Sequence, residues 1–497
     1  MKKFILYTQI ITGLLLAGSC KKGFLDRTPQ DALSTTVFWK NEADADLALT
    51  GLYNYLYAGG GGYATSQYQV VAWDNFSDDS YGQYNYGGGT TALTAGITPQ
   101  SGDYVYNYYA NNYKAIAAIN SFLANVDKVL TGDKLARYKG EAYFLRAFNY
   151  LWLAQLYGNV VIITDDPFSV DFKSTKAKST KAEVMQLVES DLDLAIASLP
   201  ATTYADGHAV KATAQGYKVR ALLLQQKWPE AAALAKQIID DGLYSLNPDY
   251  GANFYKPGQS SSKEIMFSVK YQLPNVQHQD VALAVSLQRW KGELGTQDLI
   301  DEYEAGDPRK TMTFFFPGDT QEDGWPFTGD LAVATPGKDS WINGYYCVKK
   351  WLTPGLVNPD YGALDDNDYV LLRYADIKMM YAEAQNEAAG PDATVYTQVN
   401  EVRARPGVSM PALPAGLTKD QMRERIRHER RVEFAMEGLR YHDLRRWGIA
   451  KEKLDGFVPN PLFPAIKTKY EDNYEFWPIP QTEIDRNQPD LVQNPGY

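Results

Sequence analysis

The sequence predicts a mainly α-helical protein, with paired helices forming one part and a loop-rich, partly irregular half forming the other. Apolar residues recur at helical spacing over long stretches, and two stretches rich in glycine and aromatic residues interrupt them. A helical scaffold is predicted at about 36–57, 104–246 and 369–440, and loop-rich regions at about 59–103 and 247–368.

The N-terminus has the order of a targeting segment. Two lysines precede an apolar run at 10–17, and small residues lead into Cys20. This order resembles a bacterial lipoprotein signal peptide at 1–19, with Cys20 as the lipidated first residue of a single domain over 20–497. The alternatives are an ordinary secretory signal and a membrane helix, although the apolar run is short for a bilayer span. If Cys20 is lipidated, the only other cysteine, Cys347, has no disulfide partner and is expected to be a small buried residue.

The first part of the scaffold is predicted to contain four helices. The segments 36–57, 104–130 and 132–157 carry apolar positions at helical spacing, and the last has two apolar stripes, which predicts a helix packed between neighbours. Thr180 followed by Glu183 predicts a capping box that starts a helix at 181–198.

Residues 209–246 read as a helical hairpin. Pro229 suits the first turn of a second helix, and Gly242 suits the position just after its end. Alanines on both inner faces allow close approach of the backbones. Such a hairpin is of the tetratricopeptide type and cannot bury its apolar face alone, so more helix pairs are expected.

The second half of the chain has its own pattern. A strand is predicted at 264–272 and a short helix at 296–303. Helices are predicted again at 373–388, 395–403 and 419–437.

The loop-rich regions hold the candidate ligand site. Exposed tryptophan and tyrosine rings stack on the apolar faces of sugars, and neighbouring polar side chains bond the hydroxyl groups. The candidate stacking platforms are Trp73, Tyr84, Tyr86, Trp290 and Trp325, and the candidate polar partners are Asp74, Asn75 and Arg289. Core packing is the alternative for each of them.

Several function classes have no support in the sequence. A net charge of -11 and a pI near 5.1 argue against a nucleic-acid partner. The four histidines form no HExxH motif, no phosphate-binding or dinucleotide-binding loop is present, and no cofactor is expected. The acidic pairs Asp78-Asp79 and Asp365-Asp366 are interpreted as loop residues and not as catalytic acids.

The charged segment 426–448 is interpreted as a structural ion-pair network. Its arginines alternate with glutamates that offset their charge. Pairs at i,i+3 spacing are expected between Arg430 and Glu433 and between Glu437 and Arg440. His442 and Asp443 are expected to belong to a structural turn and not to a catalytic dyad.

These segments together resemble the SusD/RagB family of nutrient-binding outer-membrane lipoproteins from Bacteroidetes. The segments that carry the resemblance are the start with Phe24-Leu25-Asp26, and 140–160, 209–246, 372–387, 400–408, 426–448 and 476–497. Pro406 and the Val161-Ile162 pair depart from the family pattern without affecting the expected fold.

The resemblance implies about four tetratricopeptide-like helix pairs and a ligand site in the loop-rich half. It also implies a partner, a SusC-like TonB-dependent outer-membrane transporter, and a lipid-anchored position that faces the cell exterior. Family members bind oligosaccharides without cleaving them, so no catalytic residue is expected. The alternatives are an all-α glycoside hydrolase, which would share aromatic and acidic residues, and a tetratricopeptide-type scaffold for protein partners.

Overall fold

A computed structural model describes residues 38–57, 68, 70–82, 89–101, 103–169, 176–276, 278, 287, 292–316, 319, 346–354, 366–459, 461 and 464–497. The α-helices are α1 (Glu42–Tyr53), α2 (Val70–Asp74), α3 (Gly89–Ala95), α4 (Asp103–Asn125), α5 (Gly132–Tyr157), α6 (Lys181–Ser198), α7 (Lys211–Leu224), α8 (Trp228–Asp240), α9 (Gly258–Ser261), α10 (Gln297–Glu302), α11 (Arg309–Thr313), α12 (Tyr374–Ala389), α13 (Ala393–Arg403), α14 (Lys419–Glu433), α15 (Arg440–Arg446), α16 (Ala450–Leu454) and α17 (Gln481–Arg486). The strands are β1 (Ser80–Gly82), β2 (Ile265–Val269), β3 (Glu293–Gly295), β4 (Tyr346–Cys347) and β5 (Tyr369–Arg373).

The long helices form one continuous stack, which confirms the mainly α fold. Helices α4 to α8 pack against one another in chain order, α12 packs against α8, and α13 and α14 pack against α12. The chain therefore leaves the stack after α8 and returns beside it at α12. The loop-rich region between them is an insertion into a helical scaffold.

The predicted hairpin is confirmed in α7 and α8. Pro229 lies in the first turn of α8. Backbone N–H groups in this turn have no acceptor within the helix, so the absence of an N–H in proline breaks no hydrogen bond. Gly242 follows the end of α8 with φ of +64°, a conformation that costs glycine little. The inner faces are lined by fully buried alanines, namely Ala214, Ala221, Ala231 and Ala235.

Helices α5 and α6 also match the sequence pattern. Both apolar stripes of α5 are buried, apart from the partly buried Trp152, because the helix lies between α4 and α6. At the start of α6, the Thr180 hydroxyl accepts from the Glu183 amide at 3.2 Å, and the Glu183 carboxylate accepts from the Thr180 amide at 2.7 Å. This is the predicted capping box.

Some helices are shorter than predicted. Helix α1 covers only the middle of the predicted 36–57 segment, with a 3-10 turn from Asn54 to Tyr57, and α4 ends five residues before the predicted 130. Helix α14 ends at Glu433, not at 437.

Side chains from other segments bind the carbonyl groups that follow α14. Arg373 Nη2 donates to the Glu433 carbonyl at 2.9 Å, Lys350 Nζ to that of Ala435 at 2.9 Å, and Trp351 Nε1 to that of Met436 at 2.8 Å. These bonds satisfy the carbonyls that a longer helix would have used.

The strands form two small antiparallel sheets. Strand β2 pairs with β5, and its five residues are all buried, which confirms the strand predicted at 264–272 over a shorter length. Strands β1, β3 and β4 form a second sheet, with Gly82 opposite Glu293 and Gly295 opposite Tyr346. Cys347 in β4 is fully buried, as expected.

Candidate functional site

Trp73 lies in the hydrophobic core and not on the surface. It belongs to α2 and is 2% exposed. The centroid of its ring lies 4.7 Å from that of Tyr108, 5.1 Å from Trp152 and 5.8 Å from Trp477. The prediction that Trp73 is an exposed platform for a sugar is therefore wrong.

Asp74 and Asn75 are buried structural residues as well. Asp74 Oδ2 accepts from the Gly438 amide at 2.8 Å, and burial, together with the charge of Asp79, raises the pKa of Asp74. Asn75 Oδ1 accepts from the Ser80 hydroxyl at 2.8 Å. The expectation that Asp74 and Asn75 bond sugar hydroxyls from the surface is also wrong, because both side chains face the protein interior.

The acidic pair Asp78-Asp79 joins the first loop-rich region to the helical scaffold. Arg440 donates to both carboxylate oxygens of Asp78 at 2.8 Å, and Arg431 donates to Asp79 at 2.7 Å. Burial alone would raise the pKa of Asp78, but the two guanidinium groups bring it down to about 2. The pair therefore anchors the chain just before β1.

The charged segment 426–448 is an ion-pair network, as the sequence indicated, but Arg430, Arg431 and Arg440 also find partners outside the segment. Arg430 pairs with Asp376 at 2.7 Å and with Asp443 at 3.0 Å. The expected i,i+3 pairs of Arg430 with Glu433 and of Arg440 with Glu437 are wrong. Arg446 does pair with Asp443 at i,i+3 spacing, at 2.7 Å. Buried charges need several bonds each, and Arg430 gains one of them from Asp376 on another helix.

Glu433 illustrates how these charges join separate elements. Its carboxylate accepts from Arg373 and Arg405, each at 2.7 Å, and from Arg309 at 2.9 Å. These three arginines come from β5, from the turn after α13 and from α11. The network therefore holds the inserted region against α14.

The three-stranded sheet gathers the ends of the segments that carry the other candidates. Gly82, just before residues 83–88, lies opposite Glu293, which comes shortly after residues 288–291. Tyr346, just after residues 320–345, lies opposite Gly295. The candidates on these segments, Tyr84, Tyr86, Arg289, Trp290 and Trp325, lie outside the described residues, as does Cys20.

A half-buried aromatic surface that the sequence-based candidates missed lies at the β4 edge of this sheet. The rings of Phe316 and Tyr346 are 5.4 Å apart, and the Tyr346 hydroxyl donates to Gln297 Oε1 at 2.9 Å. Lys310 Nζ lies 5.7 Å from the Phe316 ring. Aromatic faces beside an amide and an ammonium group suit a hydroxylated ligand. The Tyr345-Tyr346 pair in the second aromatic region was the signal that could have indicated this surface.

Other chemistry finds no support in the described part of the chain. There, no group of three or more His, Cys, Asp or Glu side chains is placed to hold a metal ion. His208 bonds Glu141 at 2.6 Å and His428 bonds Glu302 at 2.6 Å, so both histidines join helices or loops. Within the same described ranges, no helix has the length and apolarity needed to cross a bilayer.

Comparison with known proteins gives consistent matches over nearly the whole chain. Residues 244–497 match the family model described as "SusD family", and residues 23–223 match the one described as "Starch-binding associating with outer membrane". A SusD-like protein P2 from Formosa agariphila is 25% identical over 531 aligned positions that cover all of both chains.

Solved structures share the fold. A SusD-like carbohydrate-binding protein from Bacteroides fragilis has a TM-score of 0.81 at 24% identity, with 92% of this chain and all of the other covered. A laminarin-binding SusD-like protein has a TM-score of 0.71 at 24% identity, over 92% of this chain and all of the other. At this identity the structures establish the fold only.

Proposed function

Because the chain belongs to the SusD family, we propose that it is a non-catalytic, cell-surface lipoprotein that binds glycans and delivers them to a TonB-dependent outer-membrane transporter. The family descriptions support association with starch and the outer membrane, and two similar structures are those of a carbohydrate-binding and a laminarin-binding SusD-like protein.

The glycan site is proposed on the surface around the sheet of β1, β3 and β4. The observation that best supports this site is the pairing of Gly82 with Glu293 beside the aromatic surface of Phe316 and Tyr346. Gly82 comes just before the segment of Tyr84 and Tyr86, and Glu293 comes shortly after the segment of Arg289 and Trp290, so their pairing supports a common site. Tyr84, Tyr86, Arg289, Trp290 and Trp325 remain the proposed ligand contacts, and Phe316 and Tyr346 join them.

Binding should be measured first with laminarin and starch, followed by a glycan array. Tyr346→Ala and Phe316→Ala are each expected to weaken affinity for the bound glycan about tenfold, because a lost aromatic stacking face costs on the order of 1.4 kcal/mol. Phe168→Ala is the matched control, since Phe168 is 68% exposed and belongs to another part of the chain.

Two results would contradict the glycan-binding proposal. New reducing ends in the glycan mixture would favour the glycoside-hydrolase alternative. Failure of every glycan to bind, with soluble proteins recovered by pull-down, would favour the interaction scaffold.

The lipid anchor and the transporter are tested separately. Cys20→Ser is expected to abolish incorporation of a labelled fatty acid and to release the protein from outer-membrane fractions. The wild-type protein is expected to copurify with an outer-membrane transporter from its native host. Unchanged labelling of Cys20→Ser would contradict the anchor, and absence of a transporter would contradict the partner.

A further inference from the structure

Two adjoining pockets open at the turn between α7 and α8, within the helical scaffold. The inner pocket has a volume of about 90 Å³ and aromatic walls that include Tyr68, Trp73 and Trp152. The outer pocket has a volume of about 270 Å³ and mostly polar walls. Gln155 and His442 are among the residues that line both, so the pockets share a wall. We call the two adjoining pockets together the turn pocket.

The outer part of the turn pocket holds more positive charge than its surroundings neutralise. Arg446 is paired with Glu383 and Asp443, but Arg445 has no ion-pair partner among the described residues. Arg445 Nη2 donates to the carbonyl group of Glu475, and its guanidinium group lies 5.1 Å from the ring of Tyr441. Burial alone would lower the pKa of Arg445, but Tyr441, Tyr470 and Glu475 raise it. Its Nε and Nη1 are buried without a hydrogen-bond partner in that part of the chain. A buried guanidinium group with two unbonded nitrogens is rare and unfavourable.

Lys181 is a second cation in the wall of the outer pocket, where the exposed Glu475 is the carboxylate that it shares with Arg445. Its Nζ lies 5.0 Å from the ring of Phe476 and forms no salt bridge within the described residues. Burial and the positive charge of Arg445 lower the pKa of Lys181, and the exposed Glu475 nearby offsets only part of this effect. The two cations therefore repel each other across a space that an anion would fill.

His442 lines both the inner and the outer pocket. Its ring lies 5.0 Å from Trp73 and 5.1 Å from Trp152, and both ring nitrogens are buried without a partner in the described chain. Burial lowers the pKa of His442 to about 3, so the ring is neutral near pH 7 and offers one donor and one acceptor.

Gln226 gives an independent sign that the turn pocket has a use. It follows the end of α7 with φ of +57° and lines the outer pocket. Glycine is preferred at this position because a side chain strains the left-handed backbone. Gln226 instead brings a flexible side-chain amide to the wall of the outer pocket. Backbone strain of this kind is typical of ligand sites.

We propose that the turn pocket binds an oxyanion, with Lys181 and Arg445 neutralising the anion and Gln226 bonding the attached group. Trp152, the partly exposed ring of the inner pocket, offers an aromatic face to the apolar body of a small organic acid. A second ligand site of this kind is separate from the glycan surface at β1, β3 and β4.

Isothermal titration of the full-length protein with sodium sulfate, D-glucuronate and D-glucose tests the proposal. At least one of the two anions is expected to bind, and glucose about tenfold more weakly or not at all, since charge-assisted bonds supply most of the affinity. Tighter binding of glucuronate than of sulfate identifies an acidic sugar as the source of the oxyanion, and equal binding identifies the free ion.

Lys181→Gln and Gln226→Gly separate recognition from folding. Lys181→Gln is expected to weaken anion binding about tenfold. Gln226→Gly is expected to weaken it several-fold while the Tm stays constant or rises, because glycine relieves the left-handed strain. Lys236→Gln is the control, since Lys236 lies in an exposed pair with Asp240 on α8.

Two results would overturn the proposal. One is that neither anion binds the wild-type protein, and the other is that Lys181→Gln and Gln226→Gly bind anions as the wild type does. Glycan affinity is measured on the same variants and is expected to stay unchanged, so failure of this proposal and failure of the glycan proposal remain distinguishable.

Discussion

Asp78 joins the two halves of the molecule through two guanidinium groups. The residue is 2% exposed, and Arg440 depends on it for its two closest ionic bonds. Asp78→Ala is expected to lower the free energy of unfolding by about 3–5 kcal/mol, because it leaves a buried arginine without its partner. Urea denaturation at pH 7 measures the change.

Asp240→Ala is the matched control for Asp78. Asp240 pairs with Lys236 four residues earlier on α8, and both side chains are more than half exposed. Its removal is expected to change the free energy of unfolding by at most about 0.5 kcal/mol. Equal effects of the two substitutions would contradict the anchoring role of Asp78.

The lowered pKa of the buried His442 predicts a specific pH dependence of the free energy of unfolding. The folded pKa of about 3 lies below the ordinary value near 6.5, because burial and Arg445 disfavour the charged ring while Asp443 opposes them only in part. Above about pH 6.5 the residue contributes nothing. As the pH falls from 6.5 towards 3, only the unfolded chain takes up the proton, so stability is lost at about 1.4 kcal/mol per pH unit.

His442→Gln removes this proton-linked term while every carboxylate stays in place. Between about pH 6 and pH 4, the free energy of unfolding of the variant is expected to fall less steeply than that of the wild type, by about 1.4 kcal/mol per pH unit. Parallel curves for the two proteins would show that His442 is not buried in its neutral form.

Gly438 controls how closely α2 approaches the turn before α15. Its φ is +74°, and an added Cβ would lie 2.6 Å from the Val70 carbonyl oxygen. Gly438→Ala is therefore expected to cost about 3 kcal/mol or more, as strain and overlap add. Urea denaturation of Gly438→Ala gives the value.

Gly456→Ala separates the strain of the left-handed backbone from the steric overlap that adds to it at Gly438. Gly456 has the same φ of +74°, but nothing lies within 4 Å of an added Cβ. Gly456→Ala is expected to cost only about 1–2 kcal/mol, the price of the left-handed backbone alone. If Gly438→Ala lowers the free energy of unfolding by no more than Gly456→Ala does, α2 does not approach Gly438 as closely as described.

The regular elements could be predicted because their signals are local. Thr180 with Glu183 starts α6, and Pro229 and Gly242 bound α8, through interactions with residues only a few positions away. The end of α14 could not be predicted, because Lys350 and Trp351 reach its carbonyls from more than 80 positions away in the sequence. The ion-pair partners of Arg430 and Arg440 were missed for the same reason.

At the scale of the whole molecule, the insertion into a helical stack explains why site prediction is harder than fold prediction. Packing of α8 against α12 lets the chain add the 133 positions from Asp241 to Arg373 without interrupting the scaffold. The general location of a ligand surface could be predicted from the aromatic composition of this insertion and of the first loop-rich region. Which rings face inward could not, because Trp73 owes its burial to Tyr108, Trp152 and Trp477, which come from distant parts of the chain.

The central claim is that the surface around β1, β3 and β4, and not the helical stack, binds glycan. The most direct test is the affinity of the double variant Trp290→Ala/Trp325→Ala for the glycan that binds the wild-type protein, with Phe168→Ala measured in parallel. The account predicts that the double variant loses about 100-fold or more in affinity, since each stacking ring contributes about tenfold, while its Tm and the affinity of Phe168→Ala stay unchanged. Wild-type affinity in the folded double variant would contradict the claim.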